Sequence, residues 1–596
     1  MSTGSSSEIR ADSQNTNARS ISLLHLPPEI LWDVTSYIKP DGLASLVRVC
    51  KRTREICIPR LYEVIVLSPA DLTNPNTLLR DGNINIRHVR SVQVIGDMEE
   101  AGFWPVDLSD SAIERVLYDL RRPLDKFLSY LGKDTLREFV WRTDLALGKR
   151  TADYLLQHQK KIQKLTLCRL SLPSTLFFNG SPEDGNSDSG FLDFSTSLLN
   201  KDGLVWLDVR DVSSFEGLQY LLKAIVRNQN TLKRLRFGFP SYEAHKMAHN
   251  PPGINNWSTK SIEDAIAACG VNLESTTQTM FPALRSIEVS DFGVSADESQ
   301  EAMILINGAI KLRQVQSLKF RNCGYLDSTI WPLIASPLQI SVLHLTIYRD
   351  FEVFYDFLEK QNSITTLSEL RLVIRVRTAQ CRFPDVRRHA QTLRVLYLAM
   401  VHNYDDLPRA AATGMIYMYP TPMATIHQIM SLPRLQELAI PFQNPNISRI
   451  KLDESSFPSL RVLWILSANG LIEPRQHRGG FFDLISMAPT PSLIETAKTR
   501  KDHLDKIFGK ASYYPNKLEI IGMGLKENYE HPEDILLIPK VLPHGYKLRP
   551  ETELQGFDRA RKAVTALVPV SLSREEYSWI KIFELGKGNW GHRAWA

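Results

Sequence analysis

One six-residue phrase, apolar-x-x-apolar-x-apolar, recurs through most of this 596-residue chain, and it restricts the fold more than any other feature. It runs Val89–Val94, Leu136–Trp141, Ile162–Leu167, Leu204–Val209, Leu232–Phe237, Leu284–Val289 and Val315–Phe320. It continues as Ile340–Leu345, Leu367–Leu372, Leu393–Leu398, Leu435–Ile440, Leu460–Ile465 and Leu518–Met523, and stops after about Gly524. Many starts lie 25–31 residues apart, with gaps of forty or more where an insertion sits. Between phrases come helix-patterned stretches such as 215–225 and 351–358. A strand plus a helix cannot bury its own apolar face, so such units must stack on their neighbours.

The phrase and its period resemble leucine-rich repeats, which predicts an α/β solenoid: a curved parallel sheet with outer helices. A conventional sheet of alternating strands and helices is the competing arrangement. Within each phrase the leucines point into the core and alternate residues point to the other face of the sheet. That alternation offers Trp206, Arg210, Arg234, Arg236, Lys319, Arg321 and Arg371, then Tyr397 and Trp464, as surface candidates for binding a target. The middle of the face is basic, and its later part apolar and aromatic. Arginine forks bind phosphate or carboxylate, and aromatics supply anchor area. An acidic or phosphorylated protein segment is therefore the expected partner, against the alternative of a solvated face that only keeps the array soluble.

The first sixty residues are organised differently. Residues 1–20 are Ser-, Asn- and Thr-rich and read as a disordered tail. Pro27 and Pro28 then open a helix, on which Ile30, Leu31, Val34, Tyr37 and Ile38 share an arc of about 120°. Pro40 interrupts it and Asp41-Gly42 makes a turn. Leu43, Leu46, Val47 and Cys50 repeat at helical spacing, and a short third helix covers Arg54 to Cys57 and ends at Pro59. Forty residues carry more apolar side chains than one so small a core consumes. Part of that apolar surface is either an interface or a cap on the next domain.

The order Leu26-Pro27-x-Glu29-Ile30-Leu31-x-x-Val34-x-x-Tyr37-Ile38, then Leu43-x-x-Leu46-x-x-Val49-Cys50-Lys51, resembles an F-box over roughly residues 23–62. Thr53 departs from the family, which commonly has a bulky apolar residue there; the exit through Leu61-Tyr62 and Val64-Ile65-Val66 resembles fungal members. The resemblance implies a substrate receptor of a cullin–RING (SCF-type) ubiquitin ligase. Leu26, Pro27, Ile30, Leu31, Val34, Ile38, Leu46 and Val49 would meet the SKP-type adaptor, with Leu31 and Val34 left partly exposed in the isolated chain. The alternative is a leucine-rich repeat scaffold without a role in ubiquitin transfer, its N-terminal helices buried against the first repeat. These readings divide the chain into a tail (1–20), an F-box (21–66), a solenoid (67–548) with insertions near 179–200 and 240–258, and a C-terminal cap or tail (549–596) with a helix at 557–566.

Composition is close to that of an ordinary soluble protein, and the resemblance implies no bond chemistry in this chain. Hydrophobic residues make up 43% and charged residues 23%, and the net charge is only +5, which argues against a nucleic-acid or membrane partner. The six cysteines form no CxxC, so neither zinc nor a disulfide framework is expected, and a reducing cytoplasm or nucleus fits best. No cofactor or catalytic residue is expected. Gly586–Gly591 matches G-x-G-x-x-G without room for a βαβ unit, and His245 and His249 lack the glutamate of H-E-x-x-H and a third ligand. The basic stretch Lys498–Lys501 is offset by Asp502 and Asp505 and reads as a solvated helix face.

Overall fold

The computed structural model describes residues 26–38, 40–68, 84–96, 122–143, 147–168, 194–210, 212, 215–238, 282–290, 315–321, 340–347, 351–360, 367–376, 382–402, 418–419, 421–441, 457–465, 520–523, 535–537 and 568–570. The tail at 1–20, the insertion at 240–258, the helix at 557–566, His245, His249, Lys498–Lys501, Gly586–Gly591, Cys269, Cys323 and Cys381 lie outside them, as does most of 179–200.

Every occurrence of the phrase is a strand. After β1 (Val64–Leu67) come β2 (Ser91–Ile95), β3 (Glu138–Arg142), β4 (Lys164–Leu167), β5 (Trp206–Val209), β6 (Arg234–Gly238) and β7 (Ser286–Ser290). They continue as β8 (Ser317–Arg321), β9 (Val342–Ile347), β10 (Glu369–Val376), β11 (Val395–His402), β12 (Met418–Tyr419), β13 (Glu437–Ile440), β14 (Val462–Ile465) and β15 (Ile520–Met523). Each strand pairs in parallel with the next in chain order, β12 alone excepted: β11 pairs onward with β13, and β12 lies antiparallel to β11. Past Met523 the pattern changes, and β16 (Ile535–Leu537) and β17 (Val568–Val570) continue the sheet antiparallel. The end of the phrase is thus the end of the parallel pairing.

The register has no stagger. The third residue of each phrase stands beside the third residue of the next, in one row from Val64 through Ser91, Glu138, Lys164, Trp206, Arg234, Ser286 and Ser317 to Val342, Glu369, Val395, Glu437, Val462 and Ile520. A slip of one residue would turn each leucine set outward, so burial enforces the alignment. The first residue of the phrase is sealed wherever the chain is described, as with Leu136, Leu204, Leu232, Leu367 and Leu393 at 0% exposure.

Helices Lys149–His158, Phe215–Arg227, Phe351–Lys360 and Met423–Met430 cover one face of the sheet. They place Leu155, Leu221, Phe354, Ile429 and their neighbours in one core with the strand leucines. Buried amides close the repeats. Asn228 Oδ1 accepts from the Leu204 amide (2.8 Å) while its Nδ2 donates to the Lys201 carbonyl (2.9 Å), and Gln159 Oε1 accepts from the Leu136 amide (3.0 Å). Each amide lies just before one phrase and satisfies the first N–H of the phrase before it, which burial would otherwise leave unpaired.

Among the described residues three helices precede the sheet: α1 (Pro28–Ser36), α2 (Pro40–Leu46) and α3 (Lys51–Leu61). Asp41-Gly42 is not a turn but the start of α2, which Pro40 opens. A Cβ at residue 42 would stand 2.7 Å from Ile38 Cγ2, so only glycine lets the two segments approach this closely. The third helix is longer than its apolar spacing predicts. Pro59 sits inside it, near its end, where the lost N–H removes one bond and Tyr62 N still reaches Ile58 O at 3.0 Å. Two residues after α3 the chain is already in β1, and the Glu63 carbonyl accepts from both Arg90 N (2.8 Å) and Ser91 N (2.9 Å) at the start of β2.

Candidate functional site

Two surfaces merit attention: the outside of the three-helix unit and the sheet face that carries none of the described helices, the helix-free face. In the helical unit Leu31, Leu43, Ile56 and Cys57 are buried and make a small core of their own, apart from the continuous core that begins at Leu67. Thr53 joins its pieces. Buried at 6%, it donates from Oγ1 to the Leu46 carbonyl (2.8 Å) and accepts from the Cys50 amide (3.2 Å), while its own amide donates to Cys50 Sγ (3.5 Å). These bonds cap α3, tie it to the end of α2, and hold the Cys50 thiol below its ordinary pKa. Thr53 thus fills by hydrogen bonds the place where the resemblance leads one to expect a bulky apolar residue. Arg52 also donates to the Leu26 carbonyl (2.7 Å), binding the start of α1 to α3.

The apolar arc on α1 splits into two stripes. Leu31 and Thr35 point inward, whereas Ile30 (45% exposed), Tyr37 (88%) and half-buried Val34 and Ile38 remain on or near the surface. The expectation that Leu31 stays partly exposed does not hold: at 3% exposure it is core. Successive helical residues sit 100° apart, so a 120° arc spans both the side that packs on a neighbour and the side that does not. Among the other expected adaptor contacts, Pro27 and Val49 (62%) are exposed and Leu26 and Leu46 are half-buried. Trp32, also 40% exposed, lies 5.8 Å from the Arg60 guanidinium. Leu31→Ala is expected to cost about 3 kcal/mol. Thr53→Val should cost about 1–2 kcal/mol through the lost cap. Both are read as lowered thermal unfolding midpoints.

On the helix-free face the basic centre is real but largely internally compensated. Asp208, 1% exposed, lies 3.5 Å from Arg142, 3.3 Å from Arg210 and 3.7 Å from Arg236, and Arg236 also reaches Glu288 at 3.3 Å. Arg210 therefore spends one edge on Asp208 and Arg236 is held by two acids, each with about a third of the side chain in solvent. Beside this hub the Trp206 ring has Lys164 Nζ 5.6 Å and the Arg234 guanidinium 5.2 Å from its centroid. Trp206 is half-buried, and Lys164 and Arg234 are exposed. Sequence alternation identified Trp206, Arg210, Arg234 and Arg236 but missed Arg142, Lys164 and the part played by Asp208. Lys319 is half-buried on β8.

From β9 onward the same face is closed. Arg371 and Tyr397, expected on an open binding surface, are both 0% exposed, with the guanidinium 5.3 Å from the ring centroid. Ala399, Ala439 and Val462 are buried with them. Period-two alternation assigns a residue to a face and is silent on what covers that face, which is why these two were misjudged. The side chains of Arg321 and Trp464 lie outside the described residues.

Within the closed part His344 Nε2 stands 2.6 Å from Glu369 Oε1, and His344 Nδ1 is buried with no hydrogen-bond partner. The neutral ring donating from Nε2 fits this pocket, because protonation would bury an N–H at Nδ1 without an acceptor. Burial chiefly, aided by Lys319 and Arg371 and opposed by Glu369, holds the His344 pKa down to about 4. A depressed histidine pKa favours folding above the unfolded value of 6.5, and that contribution is lost as pH falls from 6.5 toward 4. The expected loss is on the order of 3 kcal/mol. Denaturant unfolding across that window should show a slope smaller by about one proton in His344→Gln.

Among the described residues no group of three or more His, Cys, Asp or Glu is placed to hold a metal ion, and no helix is long and apolar enough to cross a membrane. Residues 23–68, the three helices with β1, match the family model described as F-box-like. Among solved structures the chain is similar to one in the crystal structure of the Rad7 and Elc1 complex in yeast, at 13% sequence identity and a TM-score of 0.27. That match covers 76% of this chain and 90% of the other. No curated protein matches.

Proposed function

We propose that this chain is the substrate-receptor subunit of a cullin–RING ubiquitin ligase, and that it carries out no bond chemistry itself. The F-box-like segment docks a SKP-type adaptor and through it the cullin; the strand array is a leucine-rich repeat solenoid that holds a target protein. The supporting observation is that the matched helices have a small core of their own yet leave Ile30, Tyr37 and Val49 in solvent. A mere cap on the sheet would turn those side chains toward the sheet. Holding adaptor and target together makes ubiquitin transfer effectively intramolecular, at a local concentration in the millimolar range. The free cysteines at 50, 57 and 168 suit the reducing cytoplasm or nucleus where such a ligase works.

Co-expression of the full chain with a SKP-type adaptor provides the test. A stoichiometric complex on gel filtration is expected. A chain that elutes alone, folded and with α1–α3 intact by hydrogen exchange, would instead favour the repeat scaffold without a role in ubiquitin transfer.

A further inference from the structure

We infer that the helix-free face of β3 to β6 receives a short acidic segment of the target protein, resting on the receptor reading for the word target. Five cations converge there: Arg142, Lys164, Arg210, Arg234 and Arg236. Two of the three acids described nearby are paired with the arginines of the patch itself, which leaves Lys164 and Arg234 as its exposed cations. Asp208 is enclosed by three of the arginines, Glu288 lies against Arg236, and Glu138 accepts from Ser91 Oγ at 2.7 Å. Among the described residues, five cations against three acids leave the patch at +2.

The geometry favours carboxylate or phosphate groups carried on a peptide. The buried Asp208 carboxylate fixes one edge of the Arg210 guanidinium, so its outer edge is aimed before any partner arrives, while Arg236 is held between Asp208 and Glu288. Lys164 and Arg234 stand either side of Trp206 in the strand register, giving a half-buried aromatic surface between two exposed cations. Three strand spacings of about 4.8 Å separate β3 from β6, or roughly 14 Å, which an extended chain covers in about four or five residues. Two or three acidic side chains on such a segment match the cations. The acids interspersed on the face keep its excess charge small, which suits a short peptide better than a polyanionic nucleic acid.

The test is fluorescence anisotropy of the full chain with a labelled peptide of four glutamates between glycines. It is run beside a four-glutamine peptide, a version with two phosphoserines, and an oligothymidine of similar length. The glutamate peptide is expected to bind at least tenfold more tightly than the glutamine peptide, and to lose at least tenfold in Lys164→Glu/Arg234→Glu. Those two side chains are exposed, so the substitution should leave the circular dichroism spectrum unchanged. Tighter binding of the phosphoserine peptide would assign phosphate as the anion, and equal binding would assign carboxylate. Equal affinity for glutamate and glutamine peptides, undiminished binding by the variant, or capture of oligothymidine in preference to the glutamate peptide would each overturn the inference. Adaptor capture by the same variant is measured separately, so a failure of peptide recognition is not confused with a failure of the receptor reading.

Discussion

A chain carrying Ile30→Asp and Val49→Asp is expected to fold normally and to lose at least 100-fold in affinity for a SKP-type adaptor. Both side chains are exposed, at 45% and 62%, so the exchange costs the isolated chain little. In a complex each carboxylate would be driven into an apolar contact, and two losses of the size seen at interface anchors multiply. Isothermal titration of adaptor onto wild type and variant measures this, with thermal unfolding as the control on fold. Leu31→Ala makes a poorer probe despite its place in the motif, because it removes core from α1 and lowers stability and binding together. An unchanged affinity in the double variant would rule out these helices as the adaptor site.

The second large effect lies at Asp208. Replacing it by Asn keeps the shape of the side chain but leaves Arg142, Arg210 and Arg236 facing one another without their common anion. Breaking a buried pair costs about 3–5 kcal/mol, and the arginines' partial exposure reduces this to about 2–3 kcal/mol. Asp202→Asn is the matched control, since Asp202 meets Arg227 at 3.6 Å with 84% of its side chain exposed and should move stability by less than about 0.5 kcal/mol. Thermal unfolding of the two variants side by side decides the matter. The same hub explains why Arg210→Glu or Arg236→Glu is unsuitable for probing recognition: a second carboxylate beside Asp208 would disturb the sheet itself.

Much of this organisation could be read from the residues. The phrase predicted β2–β11 and β13–β15, because a buried leucine at its first, fourth and sixth positions is both a sequence pattern and a packing demand. The short unit before it was legible from Pro27, Pro28 and Pro40. What escaped were features that depend on a second element. Leu31 and Ile30 look alike in sequence, and only the position of α3 separates core from surface. Arg371 and Tyr397 fit the alternation as well as Trp206 and Arg234 do, yet one pair is sealed and the other is not. Asn228 and Gln159 carry no periodic signal, since each answers an amide about two dozen residues earlier. Alternation along one strand cannot report such partners.

The passage from α3 into β1 takes only Tyr62 and Glu63, and the Glu63 carbonyl is already bonded to the next strand. No swivel exists between the two ends of the proposed receptor. A cargo seated on the sheet would therefore face the adaptor at one fixed angle, and which of its lysines comes within reach would be dictated by how it is seated, with little room for the joint to search.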